Sequence, residues 1–256
     1  MAQTSLLQAV AELASLAGAE AHQHFGSTLA VEDKADGSPV TRADRDAERL
    51  ARAWIEQRFP SDGILGEEYG ETRPGAARRW LIDPIDGTRA FVKGVPLWGT
   101  LVAVVEGETV LAGAAAFPAL HETLAAARGE GCWWNGRRAR VSSVDRIESA
   151  TVLATDATFR RTPERGAAWL GVAARAATAR TWGDCYGYLL VATGRAELMV
   201  DGDLSPWDAA SLIVMIEEAG GVYTDWQGRP SAFGDGAVAT NATLAKTLRD
   251  ALGVRG

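Results

Sequence analysis

The residues with the clearest chemical potential lie in Trp80-Leu81-Ile82-Asp83-Pro84-Ile85-Asp86-Gly87-Thr88. A short apolar run there gives way to two aspartates three positions apart, with proline between them and Gly-Thr behind. Proline fixes its own φ and removes a ladder donor, so the strand is expected to end in a sharp turn at Pro84. Such a turn would bring the Asp83 and Asp86 carboxylates and the Ile85 carbonyl toward one point. These are the oxygen ligands that a hard cation such as Mg²⁺ takes. Gly87 lets backbone approach a ligand closely, and the N–H groups of Gly87 and Thr88 would open a helix-like turn facing a phosphate. Asp-Gly is also a common turn dipeptide, so a capped surface turn is the competing reading of the segment taken alone.

Two further acidic sites flank this one in sequence. Gly66-Glu67-Glu68-Tyr69-Gly70 follows Ile64-Leu65 and precedes the run that carries Asp83. In Leu204-Ser205-Pro206-Trp207-Asp208, Ser205 is placed as a helix N-cap, Pro206 at the first helical position and Asp208 at the third, the spacing of a capping box. By themselves, a solvated loop explains the first and a helix-dipole partner the second. Converging carboxylates would repel one another, and burial would raise their pKa values. A divalent cation removes that penalty, and a phosphate monoester carries the complementary negative charge. None of His22, His24 and His121 stands beside a nucleophile-like motif. Cys132 and Cys185 show no metal-binding or redox spacing and read as small buried thiols.

The elements that would hold these residues are read from hydrophobic period. Residues 5–24 predict an amphipathic helix through Leu6, Val10 and Leu13, and residues 42–59 a second, capped by Thr41 and stopped by Pro60. A turn is expected at Asp36-Gly37-Ser38-Pro39. Strands are expected over 80–82, 98–106, 110–117, 151–155, 197–200 and 221–225. Helices are expected over 206–219, closed by Gly220-Gly221, and over 244–252, with Asn241 or Thr243 as cap. The irregular order of helices and strands points to layered α and β structure rather than a strict βαβ repeat. A soft boundary near residue 145 divides an N-terminal α+β half, 1–145, from a C-terminal α/β half, 146–256.

Composition sets the frame. The 256 residues suit one large domain or two intimately packed halves, and 47% hydrophobic with 23% charged residues is ordinary for a soluble enzyme. A formal charge of −7 argues against nucleic acid as partner, and the Arg78-Arg79 and Arg137-Arg138 pairs lack interleaved aromatics. No apolar run is long enough to span a bilayer, and no basic-then-apolar leader opens the chain, so a cytoplasmic protein without membrane partners is expected.

Gly66-Glu67-Glu68, Asp83-Pro-Ile-Asp-Gly-Thr88 and Trp207-Asp208 with Gly220-Gly221 resemble the three motifs of the inositol monophosphatase family. The resemblance takes in Pro39-Val40-Thr41 with Asp44 and covers nearly the whole chain. Within the family, Gly87-Thr88-Arg89-Ala90-Phe91, Trp98-Gly99-Thr100-Leu101, Trp182-Gly183-Asp184-Cys185-Tyr186-Gly187-Tyr188 and Leu204-to-Asp208 are most similar to the histidinol-phosphate phosphatase branch. The resemblance implies a layered α-β-α-β-α sandwich, mixed α/β in class, and a homodimer. It implies one Mg²⁺ on Glu67, Asp83 and the Ile85 carbonyl and a second on Asp83, Asp86 and Asp208, with a third ion near Glu67. It implies lithium sensitivity, phosphate binding by Gly87 and Thr88, and water activation by Thr88, paired with Asp44, and by Glu67. The family's sugar-gripping glutamate has no counterpart here; Asp201 and Asp203 are the nearest acids, and Asp184 falls where the family contacts the leaving group. Asp86, Asp184, Asp201 and Asp208 are thus the expected substrate contacts. The implied reaction is hydrolysis of histidinol phosphate, with inositol phosphate or another small sugar phosphate as the rival substrate. A silent binding module of the same fold is the rival of another class, and the presence of Glu67, Asp83, Asp86, Thr88 and Asp208 together speaks against it.

Overall fold

The computed structural model describes residues 5–27, 31–33 and 39–254. Most of the turn expected at 36–39 lies outside them. The first elements are α1 (Leu6–His22), β1 (Glu32–Asp33), β2 (Pro39–Val40), α2 (Arg42–Arg58), β3 (Gly63–Gly66), β4 (Gly70–Thr72), β5 (Arg78–Asp86) and α3 (Thr88–Val92). There follow β6 (Gly99–Glu106), β7 (Thr109–Phe117), β8 (Glu122–Ala127), β9 (Gly131–Trp134), β10 (Arg137–Arg138), β11 (Thr151–Ala154) and α4 (Pro163–Ala173). The chain continues through β12 (Thr178–Arg180), α5 (Asp184–Ala192), β13 (Leu198–Asp201), α6 (Pro206–Glu218), β14 (Val222–Thr224), β15 (Ala237–Thr240) and α7 (Ala245–Leu252).

Side-chain alternation sorts these elements into layers. Along β5, Trp80 and Ile82 face α1 and α2, joining Val10, Leu13, Ala51 and Ile55, while Leu81 faces the opposite side with Leu189, Leu212 and Ile216 of α5 and α6. In β13, Met199 joins that same inner cluster, whereas Leu198 and Val200 pack outward with Trp169 of α4 and Leu248 of α7. Two sheets result. The larger has the order β10-β9-β8-β7-β6-β5-β3-β4 and is antiparallel except where β3 meets β5. The smaller has the order β12-β11-β13-β15-β14, with β11 parallel to both its neighbours. From outside to outside the layers run helix, sheet, helix, sheet, helix, an α-β-α-β-α sandwich. Its central helix α6 lies hard against the larger sheet at Gly113, where a Cβ would fall 2.7 Å from the Ser211 Cα.

Several elements differ from the sequence reading. The strand expected over 80–82 runs on through Pro84 to Asp86, and the turn expected at Pro84 is instead a bulge. Short strands β3, β4, β8 to β10, β12 and β15 and helices α4 and α5 lie outside the expected set, whereas the helix-like turn expected at Gly87 and Thr88 is present as the start of α3. Thr123 to Ala127 is alanine-rich, and alanine favours helix over strand unless neighbours fix the pairing. Helix α1 ends at His22 rather than residue 24. Of the two caps expected for the last helix, Asn241 accepts from the Leu244 N–H at 3.0 Å.

Candidate active site

The bulge in β5, the β3–β4 turn and the N-termini of α3 and α6 meet at one cleft of about 200 Å³. Glu67, Asp83, Ile85, Asp86, Gly87, Thr88 and Asp208 line it, as do Asp203 and Arg161. Asp83, Asp86 and Asp208 each offer an oxygen, and the three oxygens lie within 4.8 Å of one another. A larger cleft of about 510 Å³, lined by Leu6, Trp54, Phe59 and Arg78, carries no acidic side chain. The chemistry belongs to the smaller one.

Local structure explains the convergence. Asp83 pairs with Leu101 and Asp86 with Gly99, so three steps along β5 answer two along β6. In an unbroken ladder, residues three apart face opposite sides; the extra residue restores both aspartates to one face. The Asp83 Oδ1 accepts from the Ile85 N–H at 2.9 Å, and the Thr88 hydroxyl donates to the Ile85 carbonyl at 2.9 Å. Gly87 turns the chain into α3 with φ of 87°, a left-handed conformation that favours glycine, and a Cβ there would stand 3.0 Å from the Leu97 carbonyl. The Asp86 carboxylate accepts the Cys185 N–H in the first turn of α5, where the helix dipole favours an anion. Asp208 closes the capping box of α6, accepting from the Ser205 N–H at 3.0 Å.

Glu67 sits in the β3–β4 turn, its N–H donating to the Ile82 carbonyl at 3.2 Å. The turn rests on Glu48 of α2, which accepts the Glu68 N–H at 2.7 Å and the Tyr69 N–H at 3.2 Å. Glu48 escaped the sequence reading. Its signal was its place one turn beyond Asp44 in the stripe formed by Ala43, Ala47 and Ala51, all of which are buried.

Burial and mutual repulsion set the electrostatics. Burial, then the charges of Glu67, Asp208 and Asp86, push Asp83 well above the usual carboxylate range. Burial, then the Asp208 charge, raises Asp86 to about 8. Burial, then Glu67, raises Asp208 to about 7, against the pull of the Ser205 N–H. Asp44 is also raised, chiefly by burial, although Thr41 donates to it through both N–H (2.8 Å) and hydroxyl (2.6 Å). A cluster that must otherwise hold protons, made of hard oxygen donors on one cleft wall, fits a divalent cation.

Other expected contacts fall differently. Among the described residues no hydrogen bond joins Thr88 to Asp44; the hydroxyl of Thr88 goes to Ile85 and the carboxylate of Asp44 to Thr41. Asp201 is buried and does not line the cleft. The Tyr188 hydroxyl donates to it at 2.7 Å, and burial raises it to about 7. Asp203, two residues on, is the one that faces the cleft, 3.2 Å from Arg161. Asp184 has a left-handed φ of 51° and its Oδ2 lies 3.3 Å from where a Gly87 Cβ would stand. Burial, then Asp86, raises it to about 7, with Arg89 pulling the other way.

The model of the inositol monophosphatase family matches residues 2–252. The chain belongs to the inositol monophosphatase family. A histidinol-phosphatase of Chlorobaculum parvum is 45% identical over 96% of both chains, and one of Mycobacterium tuberculosis is 36% identical over 95% of this chain and 96% of its own. An inositol-1-monophosphatase of Rhizobium meliloti is 34% identical over 98% of this chain and 97% of its own. Among solved structures, the extragenic suppressor protein suhB of Bartonella henselae superposes with a TM-score of 0.90 at 29% identity, covering 97% of this chain and 98% of the other. The chain is therefore a phosphoric monoester hydrolase acting on small phosphorylated substrates, and its family is generally metal-dependent. Among the described residues, no helix is long and apolar enough to cross a membrane.

Proposed function

We propose that this phosphatase hydrolyses histidinol phosphate to histidinol and inorganic phosphate, with Mg²⁺ held by Glu67, Asp83, Asp86, Asp208 and the Ile85 carbonyl. The observation that carries the metal is the trio of carboxylates within 4.8 Å, kept from ionising by burial and by one another. Support for the substrate comes from the full-length similarity to histidinol-phosphatases. It also comes from Asp184 and Asp203, acids at or beside the cleft that would complement the ammonium and imidazole of histidinol.

When bound, two ions, with a third near Glu67, supply positive charge to the phosphoryl oxygens and leaving oxygen and make water a better nucleophile at neutral pH. The N–H groups of Gly87 and Thr88 begin a helical turn, where donors lack partners within the helix, and orient the phosphate. Thr88, its hydroxyl fixed by the Ile85 carbonyl, and Glu67 hold the attacking water in line. Asp44, held by the Thr41 N–H and hydroxyl, lies close enough to feel the charge of Glu67 and completes the water-activating set. By family resemblance, attack is direct and in line with no phosphoenzyme, and Asp86 and Asp208 line the cleft where the substrate would sit. The reading extends, by family resemblance, to a homodimer in the cytoplasm.

A second reading, inositol 1-phosphate hydrolysis, is favoured by the relative from Rhizobium meliloti. It is also favoured by an inositol monophosphatase structure from Zymomonas mobilis, with a TM-score of 0.86 at 33% identity over 96% of this chain and 97% of that one. Parallel turnover of both esters with Mg²⁺ and with chelator separates the two. A preference for inositol phosphate of about tenfold in kcat/KM, equivalent to about 1.4 kcal/mol, removes the histidinol assignment. Turnover of both that ignores the chelator removes the metal.

A further inference from the structure

We infer that Glu48 is a positioning residue for the metal centre, holding the turn that presents Glu67; this rests on the reading of Glu67 as a metal ligand. Glu48 is fully buried on α2, where an ionised side chain persists only if its oxygens are satisfied. All of its partners belong to one purpose. The Glu68 and Tyr69 N–H groups occupy its two oxygens, and Arg52, one turn further along α2, donates Nε at 2.7 Å. Arg52 then reaches past it to the Thr72 hydroxyl at 2.9 Å and to the Gly70 carbonyl. The pair thus clips residues 68–72, and little else, to the helix.

The residue before Glu67 shows how closely the carboxylate enters the turn. A Cβ on Gly66 would fall 2.1 Å from the Glu48 Oε1, so the turn and the carboxylate share space that only glycine leaves open. Glu67 is therefore bracketed, by contact at Gly66 and by the hydrogen bond at Glu68. With the Glu67 N–H also donating to Ile82, its backbone is fixed from three sides. Among the described residues, every hydrogen-bond partner of the Glu48 carboxylate is a donor. Glutamine keeps the volume but replaces one acceptor with an amide that points N–H at N–H, so one of the clips must open. The buried pair also contributes to stability, and the test has to separate that from positioning.

Wild type, Glu48→Gln and a control, Asp62→Asn, are compared by isothermal titration with Mg²⁺ and by free-Mn²⁺ spin resonance, at a temperature where circular dichroism shows all three folded. Asp62 is another buried acid that accepts from Arg78 and Trp80, and it does not line the site cleft. Loss of a group that orients a metal ligand typically weakens binding about 10- to 100-fold. The expected result is a loss in that range for Glu48→Gln, with a raised Mg²⁺ requirement and a smaller change in kcat at saturating Mg²⁺. Asp62→Asn should lose thermal stability but bind as wild type does. Metal affinity of Glu48→Gln within about twofold of wild type overturns the inference while leaving the metal centre standing. Equal weakening in Asp62→Asn also overturns it, by showing a general effect of instability. Absence of divalent binding in wild type would instead overturn the reading beneath it. If Glu48→Gln does not fold, Arg52→Lys carries the same test. It keeps the charge beside Glu48 but loses the fork to Thr72 and Gly70, and unchanged metal affinity there overturns the inference.

Discussion

Stripped of divalent ions with a chelator, the enzyme should lose stability as the pH rises from about 5 to about 8, against the usual trend for paired carboxylates. In the folded chain Asp86 ionises at about 8 and Asp208 at about 7, both chiefly because burial penalises the charged form. In the unfolded chain each ionises at about 3.9. Between those limits the unfolded chain has released protons that the folded chain still holds. Stability contributed by such raised groups is complete below the unfolded value and drains away as the pH climbs through the folded one. One proton changes stability by about 1.4 kcal/mol per pH unit inside the window. The carboxylates share a site and ionise in steps, and they are partly open to the cleft, so a single proton is the conservative count. For a chain of this size that lowers Tm by roughly 2–4 °C per pH unit. Exposed carboxylates held low by arginines, such as Glu12 and Glu32, contribute with the opposite sign, and their contribution is already present above the unfolded value. Saturating Mg²⁺ favours the ionised forms, so the slope should flatten, and apparent Mg²⁺ affinity should rise about tenfold per pH unit for each proton released. Thermal melts with chelator and with excess Mg²⁺, and titrations in buffers of different ionisation enthalpy, measure both. A metal-free Tm that holds or rises from about pH 5 to 7, or a Mg²⁺ effect that does not grow with pH, would refute the reasoning.

Asp83→Asn should leave circular dichroism unchanged and reduce turnover below about a tenth of wild type, because its oxygen serves the whole cluster; greater retained activity contradicts that. Asp184→Asn should raise KM for histidinol phosphate several-fold and for uncharged sugar phosphates much less, and equal effects in a steady-state comparison would remove Asp184 from cation recognition. Gly113→Val should cost about 1–3 kcal/mol in urea denaturation, since its side chain would enter the backbone of α6; an unchanged midpoint contradicts that packing. Millimolar lithium should inhibit, as family resemblance implies, and insensitivity in a dose series would weaken the assignment of a common ion to Asp86 and Asp208.

How much of this was legible beforehand depended on whether the deciding contact was local. The carboxylates announced themselves through Pro84, Gly87 and the capping spacing of Ser205 with Asp208, all within a few residues. The bulge did not, because a proline after Asp83 is equally compatible with a turn, and the outcome rests on pairing with Leu101 and Gly99. Glu48 looked like one more charge on a charged helix, and only the turn that folds onto it, some 20 residues away, makes it a buried acceptor. Alternation alone does not separate Asp201 from Asp203, which share one parity; what separates them is that β13 ends at Asp201 and Asp203 lies beyond it. Asp201 shares the parity of Met199, which faces the inner helices, and so reaches Tyr188. Telling the two apart needed the end of β13, and strand ends are poorly marked in sequence.

Returning to β5, its extra residue means that the spacing of Asp83 and Asp86 cannot be transplanted by copying side chains alone. Four such residues grafted into a regular hairpin would send one acid to each surface, and the recipient would gain two unrelated charges. Whoever moves this centre into another scaffold must carry the backbone irregularity along with it, and the strand opposite must be able to accept it.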